Sequence, residues 1–460
     1  MKTRSRSVPT AGLVLFWLDA AFLVLAWRVA LLIVGDSASI GSVGLLFPTS
    51  VLLFLYALGL YRREALVQIR RLLGRLPVAG GLGALTAWMI VSVLPDMFEV
   101  ANVHLLFVAS VPCFAAAGLV SRLVLFLLGR RGAFRRRLFV VGAGRRAWDL
   151  IWILQREAKT LAFDVTFLHA PSMGEVDPRL SAEPAYRIVT EGGSLLDVVR
   201  RANPDQIVVA PDERRGLAME GLLACKMAGY PVSEYTQFVE REIGRIDLKR
   251  LDLAWLLYTD GFTMGAMDRF LKRLTDIVAS TALLLLTAPL LLLAALAVKL
   301  SDKGPVLYRQ IRVTQGERHF GMLKLRSMTV NAEKAGAVWA AERDPRVTRV
   351  GRFLRRTRLD ELPQLFNVLK GDMSFVGPRP ERPEFTNKLA TQLPLYRERH
   401  LVRSGLTGWA QVNYPYGASL NDVRSKLSYD LYYVKNFGFL LDLLIMLQTV
   451  RVVFWPSGVR

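Results

Sequence analysis

The sequence predicts a membrane protein in three parts: an α-helical transmembrane bundle, a small α/β domain, and a mostly α-helical C-terminal domain that enters the membrane again. Three observations lead to this fold class. The chain has 460 residues, of which 52% are hydrophobic, and four long apolar stretches lie near its start. Short apolar runs alternate with helical patterns in its middle, and a proline-interrupted apolar stretch opens its last part.

The first four apolar stretches lie at about 11–34, 43–60, 78–94 and 104–128. Each is close to the ~20 residues that a helix needs to cross a bilayer. They predict a four-helix bundle over residues 1–130. Basic residues precede the first stretch and follow the second and fourth, whereas the first and third connections are acidic. By the positive-inside rule, we expect everything after the bundle on the cytoplasmic side of a bacterial inner membrane.

Charged residues inside the spans are rare. For Arg28 and Arg122 we expect snorkelling or pairing within the bundle rather than an ion path. The basic start, Met1–Pro9, is followed by an apolar run without a small-residue cleavage signature, so we interpret it as leading into a retained span. The net charge of +21 suits an anionic membrane, a phosphate-bearing substrate or nucleic acid. Cys113 and Cys225 form neither a disulfide framework nor a metal-ligand spacing.

Residues 131–245 have the pattern of an α/β domain with a parallel sheet. The turn Gly142–Ala147 resembles a dinucleotide fingerprint in which alanine replaces the third glycine, which makes the domain Rossmann-like. A working site would also need an acidic residue near the end of the next strand, but that strand ends in His169–Pro171. We therefore expect a structural or dimerising role. Residues 246–267 are predicted to be a linker.

The last domain is predicted to cover residues 268–460. Its first apolar stretch, 277–300, is interrupted by Pro289 and has basic residues on both sides. Proline bends a helix, and the flanking charges oppose crossing, so we expect a re-entrant helix. The final stretch, 437–455, is apolar but contains three polar residues, which favours an interfacial helix. These residues are Asp442, Gln448 and Arg451.

The densest polar pattern surrounds two adjacent carboxylates, Asp360 and Glu361. Such side chains can act as a nucleophile, a base or hard oxygen ligands for Mg²⁺. The arginines nearby can neutralise a phosphoryl group, because a guanidinium pairs well with phosphate oxygens. These arginines are Arg352, Arg355, Arg356, Arg358 and Arg379. The structural alternative is a solvated face or an ordinary ion pair.

Four runs in this part of the chain resemble, in order, the bacterial sugar transferases, which are the monotopic phosphoglycosyl transferases. The runs are Gly304–Gln310, Lys324–Met328, Asp344–Gln364 and Gly371–Glu381. The resemblance covers about residues 268–460. The four spans and the α/β domain before it are similar to the large form of this family.

The resemblance implies that Asp360 attacks the phosphate next to the sugar of a UDP-sugar, which forms an aspartyl phosphosugar and releases UMP. It implies that Glu361 helps to hold Mg²⁺. Polyprenyl (undecaprenyl) phosphate would then accept the phosphosugar and so start an exopolysaccharide or another surface glycan. We expect substrate contacts from Arg379, Lys324, Arg326, Arg352 and Gln364. For Arg379, Lys324 and Arg326 the alternative is ion pairing with nearby carboxylates. We also expect contact with membrane lipid, no nucleic acid, and a homodimer.

The sequence departs from the family pattern in one region. Ser404–Asn413 matches the usual Pro-Gly-Ile-Thr-Gly-Trp run except that Ser404 replaces proline, and Asn413 is followed by Tyr414–Gly417 where a glycine is usual. Because this region is expected to shape the sugar pocket, no particular sugar is predicted.

Two other functions stay open. A membrane-bound NAD(P)-dependent nucleotide-sugar dehydratase or epimerase would also join four spans to an α/β domain, but none of the 13 tyrosines has lysine four residues on. A non-enzymatic membrane adaptor or nucleic-acid binder would use the basic surface. The dispersed arginines form no nucleic-acid-binding motif, which counts against it.

Overall fold

The computed structural model describes residues 11–35, 42–62, 69–94, 98, 103–157, 162–190, 192–214, 217–250, 259–302, 304–330, 332, 344–414, 417 and 419–454. They form two compact units, Met1–Gly244 and Arg245–Arg460. Several charges behind the predicted topology lie outside the described residues, namely Lys2, Arg4, Arg6, Asp36, Arg63, Asp96 and Glu99.

The first unit begins with the predicted apolar helices: α1 (Ala11–Val34), α2 (Ser42–Ala57), α3 (Ile69–Val93) and α4 (Val103–Arg130). Helices α1, α3 and α4 are long and apolar enough to cross a membrane, which confirms the N-terminal apolar bundle. Helix α2 has only 16 residues. It stops before the predicted end because the chain turns at Gly59, whose φ is 71°.

A charged pair lies inside this bundle. Arg122 of α4 donates a hydrogen bond to the Asp19 carboxylate of α1, and the Ser121 hydroxyl donates to the same carboxylate. Asp19 is 1% exposed and Arg122 is 7% exposed. An unpaired charge between apolar helices is costly, so the pairing accounts for Arg122 and links α1 to α4. Arg28, by contrast, is exposed.

The rest of the first unit is an α/β domain with one parallel sheet. Its strands are β1 (Arg135–Val141), β2 (Ala162–His169), β3 (Arg187–Thr190), β4 (Gln206–Val209) and β5 (Val232–Glu234). Its helices are α5 (Arg145–Glu157), α6 (Pro178–Ser181), α7 (Leu195–Ala202), α8 (Met219–Met227) and α9 (Tyr235–Ile243). The strand order is β3-β2-β1-β4-β5. Helices α5 and α9 share one hydrophobic core, and α7 and α8 share another.

The second unit combines helices with two small sheets. Its elements are α10 (Ala266–Asp302), β6 (Leu307–Val313), β7 (His319–Leu325), α11 (Arg349–Thr357), α12 (Gln364–Lys370), β8 (Ser374–Val376), α13 (Pro383–Gln392), β9 (Gly405–Thr407), α14 (Trp409–Asn413), α15 (Leu420–Asn436) and α16 (Phe439–Phe454). Strands β6 and β7 are antiparallel, and β8 and β9 are parallel. Part of the predicted linker, 251–258, lies outside the described residues.

Helix α10 contains the predicted apolar stretch and extends beyond both of its ends. It has 37 residues, with Pro289 inside the helix. Near its start, Arg273 donates hydrogen bonds to the carbonyls of Val368 and Leu369 at the end of α12. Near its end, Ala294 and Val298 pack in a core with residues of β7 and α11. Both ends of α10 therefore contact the same compact unit.

The C-terminal helix α16 turns its polar residues inward. Asp442 is 3% exposed and pairs with Lys272 of α10 at 2.5 Å. Arg451 is also buried and donates to the carbonyl of Val412 at 2.6 Å. Leu440, in contrast, is 73% exposed. The polar residues that we took as a sign of an interfacial helix are thus bound by the protein, and the helix presents leucine outward.

Candidate active site

The two candidate carboxylates lie in a short 3₁₀ turn, Leu359–Glu361, between α11 and α12. Helix α11 ends at Thr357, and the next residue, Arg358, adopts a left-handed conformation with φ of 61° and ψ of 11°. This residue reverses the chain, so the turn does not continue the helix. Asn367 of α12 then joins this region to strand β7. Its side-chain oxygen accepts from the Leu323 N–H, and its side-chain nitrogen donates to the Gly321 carbonyl, each at 2.9 Å. The turn is therefore held beside Lys324 of β7.

Three cationic side chains converge on Glu361. Arg379 Nη2 donates to Glu361 Oε1 at 2.6 Å. Lys324 Nζ lies 3.5 Å from the same oxygen, and Arg358 Nη1 lies 3.7 Å from it. These four residues come from β7, the turn and the segment after β8. The fold thus brings two predicted substrate contacts, Lys324 and Arg379, to the predicted pair of carboxylates.

Asp360 occupies a different electrostatic environment from its neighbour. It is 7% exposed and makes no hydrogen bond or ion pair with any residue that the structure describes. Burial, together with the negative charge of Glu361, raises the pKa of Asp360 to about 6, against the opposing charges of Lys324 and Arg355. The carboxylate is therefore ionised at neutral pH but poorly solvated, which suits a nucleophile.

Burial acts on Glu361 and Lys324 as well. It raises the pKa of Glu361, but the nearby charges of Arg379 and Lys324 outweigh it and bring that pKa well below its ordinary value. Burial lowers the pKa of Lys324, partly offset by Glu361. Two adjacent carboxylates thus have pKa values shifted in opposite directions. Such separation is typical of sites where two acids have different roles.

The position of Arg379 depends on close backbone packing in the turn before it. The Gly377 N–H donates to the Thr407 carbonyl at 2.8 Å, and the Gly405 N–H donates to the Pro378 carbonyl at 2.9 Å. A Cβ on Gly377 would lie 2.2 Å from the Arg403 carbonyl oxygen. Only glycine fits at position 377, which explains why the segment Gly377–Pro380 begins with glycine.

Buried charges support the same turn from behind. Arg399, 5% exposed, donates to the carbonyl of Arg379 at 3.0 Å and pairs with Asp430 at 2.8 Å. Arg312 donates to the carbonyl of Pro380 at 3.0 Å. The sequence analysis missed these three residues. Asp430 did carry a signal, since it is a lone carboxylate within the apolar and aromatic run 427–434, and a charge in such a run needs a buried partner.

The remaining predicted contacts are Arg326, Arg352 and Gln364. Arg326 is 7% exposed, and its guanidinium packs against Gly304, where a Cβ would meet Nη1 at 1.9 Å. Arg352 is exposed on α11. Gln364, at the start of α12, is 3% exposed, and its Nε2 has no hydrogen-bond partner among the described residues. Of these three, Gln364 has an uncommitted donor close in sequence to Asp360.

The residues also fit a magnesium ion. Mg²⁺ usually binds one or two carboxylates and completes its shell with water and substrate phosphates. Asp360 and Glu361 supply two adjacent carboxylates. The described residues contain no cluster of three or more potential ligands, so a larger protein cage is absent there. Asp372 lies in the turn after α12, where it pairs with Lys370 at 3.1 Å.

Ser404, which departs from the family pattern, is built into the fold. It is 3% exposed, its N–H donates to Thr314 Oγ1 at 3.2 Å, and its hydroxyl donates to the Val313 carbonyl at 2.9 Å. Thr314 in turn donates to the carbonyl of Asp372 at 3.0 Å. Proline can make neither of the bonds from residue 404. Tyr414 is described, whereas Pro415 and Tyr416 of the same departure lie outside the described residues.

In the α/β domain, a carboxylate of the chain itself occupies the position where a dinucleotide phosphate would bind. In the dinucleotide fingerprint, a pyrophosphate binds the N–H groups at the start of the helix after β1. Here Asp212, which follows β4, accepts from the N–H groups of Arg145 and Arg146 at 2.7 and 2.8 Å. A Cβ on Gly144 would lie 2.2 Å from Asp212 Oδ2. This arrangement argues against a bound dinucleotide in the usual position.

Comparison with known proteins covers the C-terminal part of the chain. Residues 267–456 match the family model described as bacterial sugar transferase. The chain is 43% identical over 239 residues to the UDP-N-acetylgalactosamine-undecaprenyl-phosphate N-acetylgalactosaminephosphotransferase of Aeromonas hydrophila, which is 52% of this chain and 56% of that protein. It is 43% identical over 189 residues to the UDP-glucose:undecaprenyl-phosphate glucose-1-phosphate transferase of Escherichia coli K12, 41% of each.

A shorter relative is covered almost completely. The chain is 42% identical over 190 residues to the exopolysaccharide production protein PSS of Rhizobium leguminosarum, which is 40% of this chain and 95% of that protein. The chain matches only about half of the length of the two longer relatives. The match includes Asp360, Glu361 and the residues that surround them. The chain therefore belongs to the bacterial sugar transferase family.

Proposed function

We propose that the chain transfers the sugar phosphate of a UDP-sugar to polyprenyl phosphate, the class of reaction for which its relatives are named. The observation that carries this proposal is the contrast within one turn, where a buried Asp360 with a raised pKa lies beside Glu361, which three cations surround. A nucleophile and a concentration of positive charge are the two requirements for phosphoryl transfer from an anionic donor.

In the first step, a carboxylate oxygen of Asp360 attacks the phosphorus that carries the sugar. The bond from this phosphorus to the bridging oxygen of the diphosphate breaks, and UMP leaves with the electron pair. The product on the protein is an aspartyl phosphosugar. Arg379 and Lys324, already directed at Glu361, supply positive charge where the donor phosphates bind.

In the second step, a phosphate oxygen of the polyprenyl phosphate attacks the same phosphorus. The acyl phosphate bond breaks, which restores the Asp360 carboxylate and yields a polyprenyl diphosphate sugar. Asp360 and Glu361 would hold Mg²⁺, which neutralises negative charge on the phosphates when bound. The buried Gln364 amide, close to Asp360 in sequence, is proposed to donate to a substrate oxygen.

We further propose that α10 is a re-entrant helix and that the C-terminal unit works at the cytoplasmic face of the bacterial inner membrane. Two observations support this. Both ends of α10 contact one compact unit, whereas a helix that crossed the bilayer would separate them. The middle of the helix exposes Leu285 and Leu286 at 74% and 76%, which suits contact with lipid.

A homodimer is also proposed, through the α/β domain. Met219, Leu223 and Met227 lie four residues apart on one face of α8 and are 67%, 55% and 78% exposed. A second copy packed antiparallel about Leu223 would place Met219 against Met227 of the other copy. Light scattering of the detergent-solubilised protein tests this idea, because Leu223→Glu should convert a dimer to a monomer. A native protein that is already monomeric would contradict it.

The reaction is tested with Asp360→Asn in membranes supplied with polyprenyl phosphate and a panel of radiolabelled UDP-sugars. We expect transfer of label into lipid by the native protein and none by the variant. Asp372→Asn makes the same chemical change in a turn that contacts Lys370 and should retain activity. Transfer by Asp360→Asn at the native rate would overturn the assignment of the nucleophile. Absence of transfer from every donor by the native protein would contradict the reaction itself.

A further inference from the structure

Helix α11 has two faces of opposite character. Its inner face packs closely against the rest of the C-terminal unit. Leu354 is 1% exposed, and a Cβ on Gly351 would lie 1.9 Å from the Ser327 carbonyl oxygen. Its outer face consists of four exposed residues at the helical spacing i, i+3, i+4 and i+7. These residues are Arg349, Arg352, Phe353 and Arg356.

The outer face is both cationic and apolar. Phe353, between the arginines, is 61% exposed. The side chains of Arg349, Arg352 and Arg356 form no hydrogen bond or ion pair with any residue that the structure describes. Solvated arginines and a single exposed aromatic ring are each common on a surface that meets water, so the position of this face in the fold decides what it contacts. Among the described residues, this face has no anionic side-chain partner, and Phe353 remains exposed.

The neighbouring helix indicates where such a partner is found. The inner face of α11 packs through Leu354 on Ala294 and Val298 of α10. On the same segment of α10, Leu293 and Leu300 are 64% and 75% exposed. Exposed leucines on a helix of this length and hydropathy require lipid. Helix α11 is thus attached to the segment that we place in the membrane.

We infer that the face formed by Arg349, Arg352, Phe353 and Arg356 lies on the membrane surface, where the arginines bind the phosphates of anionic phospholipids and Phe353 enters the upper acyl layer. The face spans about 10 Å along the helix, so it contacts several headgroups rather than one ligand. Each basic residue near an anionic surface strengthens binding by about fivefold, and the contribution is screened by salt.

This location differs from that of the nucleotide donor. Arg355, on the same helix, donates to Ser327 Oγ at 2.9 Å and lies near Asp360. The outer face is centred opposite Gly351 and Leu354, and Arg355 lies between the two faces, about 60° around the helix from Arg352. Since α11 ends at Thr357, three residues before Asp360, contact of its outer face with headgroups would fix the depth of the catalytic turn. The inference itself concerns membrane contact and does not depend on the proposed reaction.

The test places a nitroxide at residue 353. Cys113 and Cys225 are replaced by alanine, Phe353→Cys is introduced, and the full-length protein is reconstituted in nanodiscs of phosphatidylcholine with or without phosphatidylglycerol. Accessibility to oxygen and to a water-soluble nickel chelate reports the depth of the label. We expect a label at lipid depth that moves toward water when phosphatidylglycerol is omitted or salt is raised. A label introduced by Glu183→Cys, at an exposed position of the α/β domain, is the aqueous reference.

Removal of the charges provides the second arm. Arg349→Gln, Arg352→Gln and Arg356→Gln together should move the label toward water and abolish its dependence on phosphatidylglycerol. The matched control makes the same change at Arg187, Arg200 and Arg201, three exposed arginines of the α/β domain, and should leave the depth unchanged. A label at 353 in the unsubstituted helix that is as water-accessible as the reference would overturn the inference. So would a rise in the KM for UDP-sugar without any change in depth, which would assign the face to the donor.

Discussion

At the residue scale, the proposed chemistry depends on one carboxylate that is buried without a partner among the described residues and one that is buried with three cations around it. Lys324, Arg358 and Arg379 all approach Glu361, so their charge is concentrated one residue away from the proposed nucleophile. Asp360 is left to react rather than to form an ion pair. In the proposed reaction, the same cations would bind the donor diphosphate and stabilise the negative charge that develops on it.

The raised pKa of Asp360 predicts a pH dependence. The nucleophile must be ionised, and burial raises the pKa of Asp360 to about 6, so its reactive fraction falls as pH drops through this value. We expect kcat/KM to be level above pH 7 and to decrease toward tenfold per unit below pH 6. Initial rates of UMP release between pH 5 and 8 measure this. A rate that stays level down to pH 5 would show that ionisation of Asp360 does not limit the reaction.

Ser404 gives a second prediction at this scale. Ser404→Pro removes two buried hydrogen bonds, those to the Val313 carbonyl and to Thr314 Oγ1, at a cost of about 0.5–1.5 kcal/mol for each bond. Ser404→Ala loses only the bond from the hydroxyl. Thermal unfolding in detergent should therefore rank the native protein above Ser404→Ala and Ser404→Ala above Ser404→Pro. An equal or higher Tm for the proline variant would mean that the two bonds contribute nothing to stability.

At the element scale, the α/β domain has the strand order β3-β2-β1-β4-β5, and its own Asp212 provides an anion at the start of α5. Asp212 lies at the carboxyl end of β4, which neighbours β1 in the sheet, and it bonds two N–H groups at the start of α5. In sheets of this kind, a ligand binds in the crevice where the strand order reverses. The Asp212 carboxylate therefore stabilises the start of α5 as a bound anion would, and the domain requires no separate ligand there.

We predict that Asp212→Ala lowers stability by about 1 kcal/mol and opens the position to a free anion. Pyrophosphate should then raise the Tm of the variant but not that of the native protein. Asp205→Ala is the matched control, because Asp205 also accepts from a backbone N–H, that of Arg137, but at the opposite end of the strands. If pyrophosphate stabilises the native protein as much as the Asp212 variant, the position is open and the interpretation is wrong.

How far the sequence predicts the elements depends on the distance over which their residues interact. The apolar helices, the paired carboxylates and the arginines around them follow from contiguous runs, and the fold brings Lys324 and Arg379 to Glu361 as expected. The contact of Asp212 with Arg145 joins residues 67 positions apart, and no local pattern indicates it. The inward direction of Asp442 is likewise not indicated by any local pattern, because its partner Lys272 is 170 residues away.

At the scale of the whole molecule, the chain joins a bundle of apolar helices to a C-terminal unit of the bacterial sugar transferase family, which has an apolar helix of its own. The proposed re-entrant path of α10, the leucines of α16 and the arginine face of α11 all support the proposal that this unit lies at the membrane surface. A soluble nucleotide sugar and a lipid phosphate can meet only at such a surface. The geometry therefore connects the membrane segments to the proposed reaction.

The covalent step is the central claim, and it can be measured directly. The purified protein is mixed with UDP-sugars in the absence of polyprenyl phosphate, quenched rapidly, digested and analysed by mass spectrometry. We predict one UMP released per active site and a peptide containing Asp360 that is heavier by one sugar phosphate. Release of UMP only when the acceptor is present, with no sugar phosphate on the protein, would mean that the acceptor attacks the donor directly and would contradict the account.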